Sequence, residues 1–421
     1  MGAMYSAVLT SLAHLAKLLT GFLFIKLVAL YLGPEGLGTL GHFMSLVTLL
    51  FMLSAGGVGN GIIKYVAEYK SSKRRFFGII SASIYYAVIY SCVICFVGIS
   101  FSSVISKYIF GDEKFYWVIS LLALAQFCFS FSTIVTGVLN GLRDTKNFAY
   151  VQIIGAFIGL PVVFFLIQGW GVIGAALGLV AIYSVYSIPA FFMVAASGFP
   201  KKIFFLKPLR SDLKRLSSFS LMLTVSALTF PITEILVRQY LIGSTSGYSD
   251  AGIWQGAIKL SSAYLGFFGV FLAYYFMPII SAEANKEKIK RHAIQFLIII
   301  AVLFLVAASV FYIFRAFFIP ILLSNTFVNL EDFLFYQLLG DLFKILSYVL
   351  GYVAVAKAAA KLYVAAEIFQ NILFFALVMF ISQFKFPLDS VFLGYALTYF
   401  VYFLISLGVF IFWIKRPSVK S

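Results

Sequence analysis

Six basic residues interrupt otherwise apolar runs of this chain: Lys17, Lys26, Lys64, Arg238, Lys259 and Lys344. Four acidic residues do the same, namely Glu68, Glu234, Asp341 and Glu367. A charge near the middle of a bilayer costs about 2.5–3.5 kcal/mol on insertion scales. Such residues face a bundle interior or a wet cavity and mark a pathway. The excess here is positive, and a cavity lined this way attracts anions and repels cations. Spacing groups the charges further. His14, Lys17 and Gly21 share one helical face at i, i+3 and i+7. Asp341 and Lys344 can pair at i, i+3, and Glu234 and Arg238 at i, i+4. The second pair lies just past Pro231, where a kink is expected. Glu234 and Asp341 are the candidates to carry a coupling proton or sodium ion, because a buried carboxylate titrates when its basic partner moves away. Glu68 and Pro231 join them as gating positions.

Each of these residues also has a plainer role to fill. Lys64, with Glu68 beside it, snorkels at a cytoplasmic helix end. Lys26 lies on the opposite side of its helix from Lys17, so both line one cavity only if Gly21 bends the helix. Asp341–Lys344 and Glu234–Arg238 also serve as neutral pairs between helices, and His14 as a satisfied polar residue.

The elements that must position these charges follow from composition. Of 421 residues, 62% are hydrophobic and only 11% charged, against roughly 25% charged in a soluble domain. Apolar runs recur along the chain, each long enough for the roughly 20 residues that cross the hydrocarbon core. In lipid, peptide groups must be satisfied within the segment. Stretches such as 296–314 do not alternate as barrel strands would. The expectation is an all-α integral membrane protein of about twelve helices. They are placed at 5–32, 37–68, 77–104, 115–142, 147–168, 172–196, 214–243, 249–280, 292–315, 328–356, 360–384 and 388–414. The first lacks the basic flank and short apolar run of a cleaved signal peptide. Cys92, Cys95 and Cys128 fall inside helices, which argues for packing and against a disulfide framework.

Charge sets orientation. With the N-terminus in the cytoplasm, the inward connections carry Lys70, Lys73, Arg74, Arg75, Arg143, Lys146, Lys201, Lys202, Lys207, Arg210, Lys214, Arg215 and further cations toward the C-terminus. The outward ones hold at most Lys107, Lys114, Arg315 and Lys385. That asymmetry places both termini in the cytoplasm. Much of the net charge of +16 is then a topology signal facing anionic lipid, and nucleic-acid binding is not expected.

A shift of 214 residues aligns the two halves. It lays Glu35-Gly36-Leu37-Gly38 on Ser249-Asp250-Ala251-Gly252, Gly137 on Gly351 and Arg143 on Lys357. Six helices per half make this a parallel repeat, the architecture of transporters that rock about a midplane site. The division expected is an N-terminal lobe at 1–198, a basic cytoplasmic linker at 199–213, a C-terminal lobe at 214–414 and a tail at 415–421. No P-loop, H-E-x-x-H or dinucleotide fingerprint is present. The outward loops are short, so catalysis is not expected, and neither a cofactor nor a metal is called for.

Particular stretches resemble a known family. Tyr31-Leu-Gly-Pro-Glu-Gly-Leu-Gly followed by Gly57-Val-Gly-Asn-Gly-Ile-Ile-Lys-Tyr-Val-Ala-Glu-Tyr is similar to the first two helices of the Wzx flippases. So are Ala251-Gly-Ile-Trp-Gln-Gly, Leu323-Ser-Asn, Gln337-Leu-Leu-Gly-Asp-Leu-Phe-Lys and Gly351-Tyr with Ala356-Lys. The likeness runs over nearly the whole chain and is closest to flippases for O-antigen and enterobacterial common antigen units. It implies membership of the superfamily that includes the multidrug and toxin extruders, with two six-helix lobes and alternating access in the bacterial inner membrane. The implied substrate is an undecaprenyl-diphosphate-linked oligosaccharide, moved from the cytoplasmic to the periplasmic leaflet. A polysaccharide polymerase and a chain-length regulator are the implied partners, and a monomer is expected because each chain holds both lobes.

On that reading the diphosphate meets Lys17, Lys26, Lys64, Arg143, Arg238, Lys259 and Lys344, matched by charge. Trp254 and Gln255 lie toward the outer end, where a sugar chain would emerge. The rival readings are a multidrug exporter of cations, which calls for an acidic cavity, and a membrane-embedded polymerase or ligase, which calls for a large outer loop.

Overall fold

The computed structural model describes residues 3–196, 208–243, 247–357 and 360–415, and among them it contains helices and no strand. The first long helix, α1 (Ala3–Met52), joins the first expected crossing to part of the second and breaks at Gly33. The φ of 63° there, just before Pro34, suits glycine. After α1 the chain leaves helical geometry altogether. Ala55, Gly56 and Gly57 take φ of 52°, 68° and 68° in succession, and α2 (Gly59–Tyr69) resumes.

Next come α3 (Lys73–Ser100), the short α4 (Ser102–Phe110) and α5 (Tyr116–Leu142). α6 (Thr145–Val185) bends at Trp170 and Gly171, and α7 (Ser187–Ala196) ends this part. α8 (Arg210–Ile242) runs through Pro231, and α9 (Tyr248–Phe271) passes by a π-helical turn, Leu272–Phe276, into α10 (Met277–Ala282). Five more helices follow: α11 (Lys286–Ile313), α12 (Arg315–Leu322), α13 (Leu330–Ala356), α14 (Ala360–Ile381) and α15 (Pro387–Lys415).

Eight stretches among the described residues are long and apolar enough to cross a membrane. Thr145–Ala196 holds two of the crossings expected from sequence, and Leu15–Met52 holds parts of two, the second expected crossing being broken before α2. α8 and α9 are also long enough to cross, and α9 carries Asp250 and Lys259, which lower its hydropathy. This accounts for all twelve expected helices. The short α4 and α12 were not expected.

The repeat is visible in the element bounds. Shifted by 214, α5 falls on 330–356, which is the span of α13. α3 falls within one residue of α11 at both ends, and α4 lands on α12 to within two. Arg143, the C-cap of α5, falls on Lys357, the C-cap of α13. The halves differ in backbone at the break after α1, close to whose counterpart lies the π-helical turn after α9, and at the junction of α6 and α7, whose counterpart α15 crosses without a break.

The chain divides into two compact units, residues 1–32 with 39–232 and residues 33–38 with 233–421. The first half of α8 packs within the first unit. Leu216 lies in a core with Ile62, Val66, Ile79 and Val138, Arg215 donates to the Tyr69 hydroxyl at 2.6 Å, and Ser220 donates to the Gly56 carbonyl at 2.7 Å. Within the second unit Gly38 and Gly252, equivalent under the shift, lie against each other. A Cβ on Gly38 would stand 2.9 Å from the Gly252 nitrogen, and one on Gly252 3.0 Å from the Gly38 nitrogen.

Loop ends are tied down by side chains. Asn285 caps α11 by accepting from the Glu287 amide at 2.9 Å. Glu283 accepts from the Asn285 amide at 2.8 Å, which holds its carboxyl below the usual carboxylate range. Lys357 donates to the Glu283 carbonyl at 2.6 Å. Of the linker expected at 199–213, residues 199–207 lie outside the described residues, as do 416–421 of the tail.

Candidate functional site

Asp341 is fully buried near the middle of α13. A carboxylate there is tolerated only when its oxygens are saturated with donors. α9 and α15, which pack on α13, supply them. Ser261 Oγ donates to Oδ2 at 2.5 Å, and the Tyr264 hydroxyl donates to the same oxygen in a very short bond. The Tyr395 hydroxyl donates to Oδ1 at 2.6 Å. Gln337, one turn earlier, donates to Ser261 Oγ at 2.7 Å. Gly340 makes room for the Tyr395 ring, because a Cβ there would come 2.6 Å from Tyr395 Cε1.

Lys344 reaches this cluster through a phenol. Its ammonium donates to the Tyr395 hydroxyl oxygen at 3.3 Å and lies 5.4 Å and 4.7 Å from the ring centres of Tyr395 and Tyr399. The direct Asp341–Lys344 pair expected from i, i+3 spacing is therefore replaced by a bridge. The lysine gains two aromatic faces, and the aspartate keeps neutral donors.

A second group forms between α8 and α9. Arg238, fully buried, donates Nη2 to Gln255 Oε1 at 2.5 Å and lies 5.7 Å from the Trp254 ring centre. Lys259 on the same helix as Gln255 stands within the electrostatic reach of Glu234 and Arg238. Trp254 and Gln255 are 1% and 0% exposed. The sequence placed them where an emerging sugar would touch them. Instead they are closed off, and the physical reason is Arg238, which needs an acceptor and an aromatic face in the core.

The first unit answers its own buried polarity with hydroxyls. The Ala55 amide, freed by the left-handed turn, donates to Ser130 Oγ at 3.0 Å. Ser130 also meets Ser91 at 3.0 Å, and Ser54 meets Thr133 at 2.7 Å. Gln126 donates to the Leu50 carbonyl at 3.1 Å. Ser130 and Gln126 thereby serve backbone groups that the missing helix ladder leaves, as lipid requires, and Ser54, Ser91 and Thr133 pair their hydroxyls around them.

The remaining predicted residues scatter. Lys17 is exposed, with its ammonium 5.1 Å from the Phe51 ring centre, and Phe51 in turn packs on Tyr183. Lys26 is half-buried. Because α1 keeps helical geometry at Gly21 and breaks only at Gly33, Lys17 and Lys26 stay on opposite faces. The His14 side chain lies outside the described residues. Lys64 is exposed, against the rings of Tyr65 and Phe219 at 5.1 Å and 5.6 Å, and Glu68 is exposed nearby. Arg143 is exposed with φ of 59°, and Pro231 is buried.

Sequence reasoning missed the neutral partners: Ser261, Tyr264, Gln337, Tyr395 and Tyr399. Departure from the repeat is the signal that marks them. The 214 shift lays Tyr395 on Ala181, Tyr399 on Val185, Asp341 on Phe127 and Lys344 on Ser130. Among the described residues no group of three or more His, Cys, Asp and Glu could hold a metal.

The fold is that of the MATE transporters of the MOP superfamily. An inward-facing multidrug resistance MATE transporter superposes with a TM-score of 0.74 at 16% identity, covering 97% of this chain and 96% of the other. A MATE bound to MaL6 gives 0.72 at 16%, covering 97% and 94%. At that identity the likeness speaks for the fold alone. Residues 4–283 match the family described as "Polysaccharide biosynthesis protein". The lipid III flippases of Escherichia coli (strain K12) and Shigella flexneri are each 32% identical over 413 residues, 97% of this chain and 98% of theirs. The chain belongs to this polysaccharide biosynthesis family and is a multi-pass membrane protein.

Proposed function

We propose that the chain is a flippase for a lipid-linked oligosaccharide, carrying the unit between leaflets without altering it. The observation that carries this is the match to lipid III flippases along 97% of the chain. The substrate class that fits is an undecaprenyl-diphosphate-linked repeat unit, moved from the cytoplasmic to the periplasmic leaflet of the inner membrane, with both termini cytoplasmic. The two six-helix lobes supply alternating access, the expected 199–213 segment linking them.

Cations within the apolar helices support an anionic headgroup, Lys259 and Lys344 half-buried and Lys17 exposed. Lys259 and Lys344 lie on α9 and α13 of one unit and Lys17 on α1 of the other. Arg238 contributes charge from the core instead of direct contact, since Gln255 and Trp254 enclose it. Asp341 and Glu234 are the groups that take up and release a proton or sodium ion during transport, and a polymerase and chain-length regulator receive the product.

Complementation tests this. A strain lacking its own flippase receives the gene, wild type or with Lys17, Lys259 or Lys344 changed to Ala, and surface polysaccharide is read on a gel. Restoration by the wild type alone is expected. Failure of the wild type in every donor strain, with gained resistance to cationic drugs, overturns the proposal.

A further inference from the structure

The Asp341 cluster has a feature that neither charge explains alone: one hydroxyl is shared between the carboxylate and the ammonium. Tyr395 gives its single proton to Asp341 Oδ1 at 2.6 Å. It therefore meets the Lys344 ammonium, 3.3 Å away, with oxygen lone pairs only. A hydroxyl offers one donor, and its direction is set by whichever neighbour needs that proton more. While Asp341 is ionised the proton points at Asp341, and the phenol holds Lys344. Once Asp341 is protonated, the carboxyl needs no proton from Tyr395 and can donate to it. The phenol's proton is then no longer held by Asp341, and the ammonium loses the negative charge that the phenol relayed to it.

We propose that Tyr395 is a positioning residue that ties these two charges together, so that an anionic diphosphate drawn to Lys344 and a proton drawn to Asp341 bind in concert. The inference rests on the flippase reading for its ligand class, a prenyl diphosphate. The proton comes from bulk water and converts the Asp341 carboxylate to the carboxylic acid, with no other bond changed. The cluster then passes from net zero to net positive as the anion arrives, and each event favours the other.

The surroundings support a two-charge unit. The titratable groups acting on the pair are Tyr264 on α9, Tyr348 on α13, and Tyr395 and Tyr399 on α15. α11 meets the cluster with Phe304, against Tyr264. α14 meets it with Phe374, against Tyr395, and with Gln370, which donates to Tyr399 at 2.9 Å. None of these three titrates. Gly340 keeps the Tyr395 ring against α13, and a phenylalanine there retains that packing while losing only the hydroxyl.

The test is proton-linked binding of farnesyl diphosphate to the purified full chain. Calorimetry in two buffers of different ionisation enthalpy counts protons taken up per ligand bound. Wild type is expected to take up protons on binding. Tyr395→Phe is expected to bind within about threefold of wild type, the scale of one net hydrogen bond, with uptake at least halved. Asp341→Asn is expected to bind with no uptake from this cluster, and Lys344→Ala to bind more weakly. Equal uptake by Tyr395→Phe and wild type, with Lys344→Ala still weakened, overturns the role of Tyr395 and leaves the flippase reading standing. Ligand binding that ignores Lys344→Ala, or no binding to the wild type, overturns both. Melting temperature and gel-filtration profile confirm that each variant is folded.

Discussion

The two units descend from one pattern of helices, yet they handle buried polarity in opposite ways. In the first, Ser130 serves a broken backbone, and Ser54, Ser91 and Thr133 pair with one another or with it as neutral hydroxyls. In the second the backbone stays helical at the corresponding place by way of a π-helical turn. The hydroxyls there, with Gln337, gather round a charge, Asp341. Position by position, Ser130 of the first unit corresponds to Lys344 of the second, and Phe127 to Asp341. The lesson is that a duplicated scaffold preserves helix bounds through its apolar spacing, while the buried polar side chains are free to diverge. One copy became a support for an irregular chain and the other a seat for ionic chemistry.

The contrast is sharpest at its largest expected effect. Asp341→Ala removes the acceptor for Ser261, Tyr264 and Tyr395 and exposes Lys344 to an uncompensated core, which costs about 3–5 kcal/mol. Both thermal stability and surface polymer should collapse. Phe127→Ala, at the equivalent but exposed position, should stay within about 0.5 kcal/mol of wild type. Equal losses from both would abolish the distinction between the units.

A smaller effect is expected in the first unit. Gly56→Ala forces a Cβ to within 2.9 Å of the Tyr86 Cβ at φ of 68° and should cost about 1–3 kcal/mol, read as a lower melting temperature. Ser130→Ala orphans the Ala55 amide and should cost about 1–3 kcal/mol. Transport per folded molecule should stay near wild type. If Ser130→Ala instead stopped transport without lowering stability, the first unit would have to be counted as ionic machinery too. At the small end, Lys107→Ala removes an exposed ion pair with Glu113, and no measurable change in melting temperature or polymer is expected.

Much of this was legible in the sequence. Apolar length placed the crossings because lipid leaves a spanning chain few alternatives to a helix. The 214 shift worked because the turns at Glu35 and Ser249 and the caps at Arg143 and Lys357 recur with the helices. Asp341 and Lys344 stood out because charge is costly in an apolar run. Their partners did not, because serine and tyrosine are common in such helices and hydropathy does not distinguish a hydroxyl facing a carboxylate from one bonded back to its own helix. The fate of Trp254 and Gln255 was misread for a related reason. Depth along a helix was visible, but the face buried by Arg238 was not.

The break after α1 has a consequence for the order in which the chain is made. Ala55 depends on Ser130, which is 75 residues further along, and Ser54 on Thr133, 79 residues further. Ribosomes add roughly 5–20 residues per second, so these partners emerge several seconds after the segment they must satisfy. Gly56 waits longer still, for Ser220, 164 residues downstream. Until then this stretch carries bare peptide groups that the bilayer cannot hydrate. The nascent chain must therefore keep residues 53–58 in the insertion machinery or at the water interface. The first unit can close over its own break only after α5, and then α8, has entered the membrane.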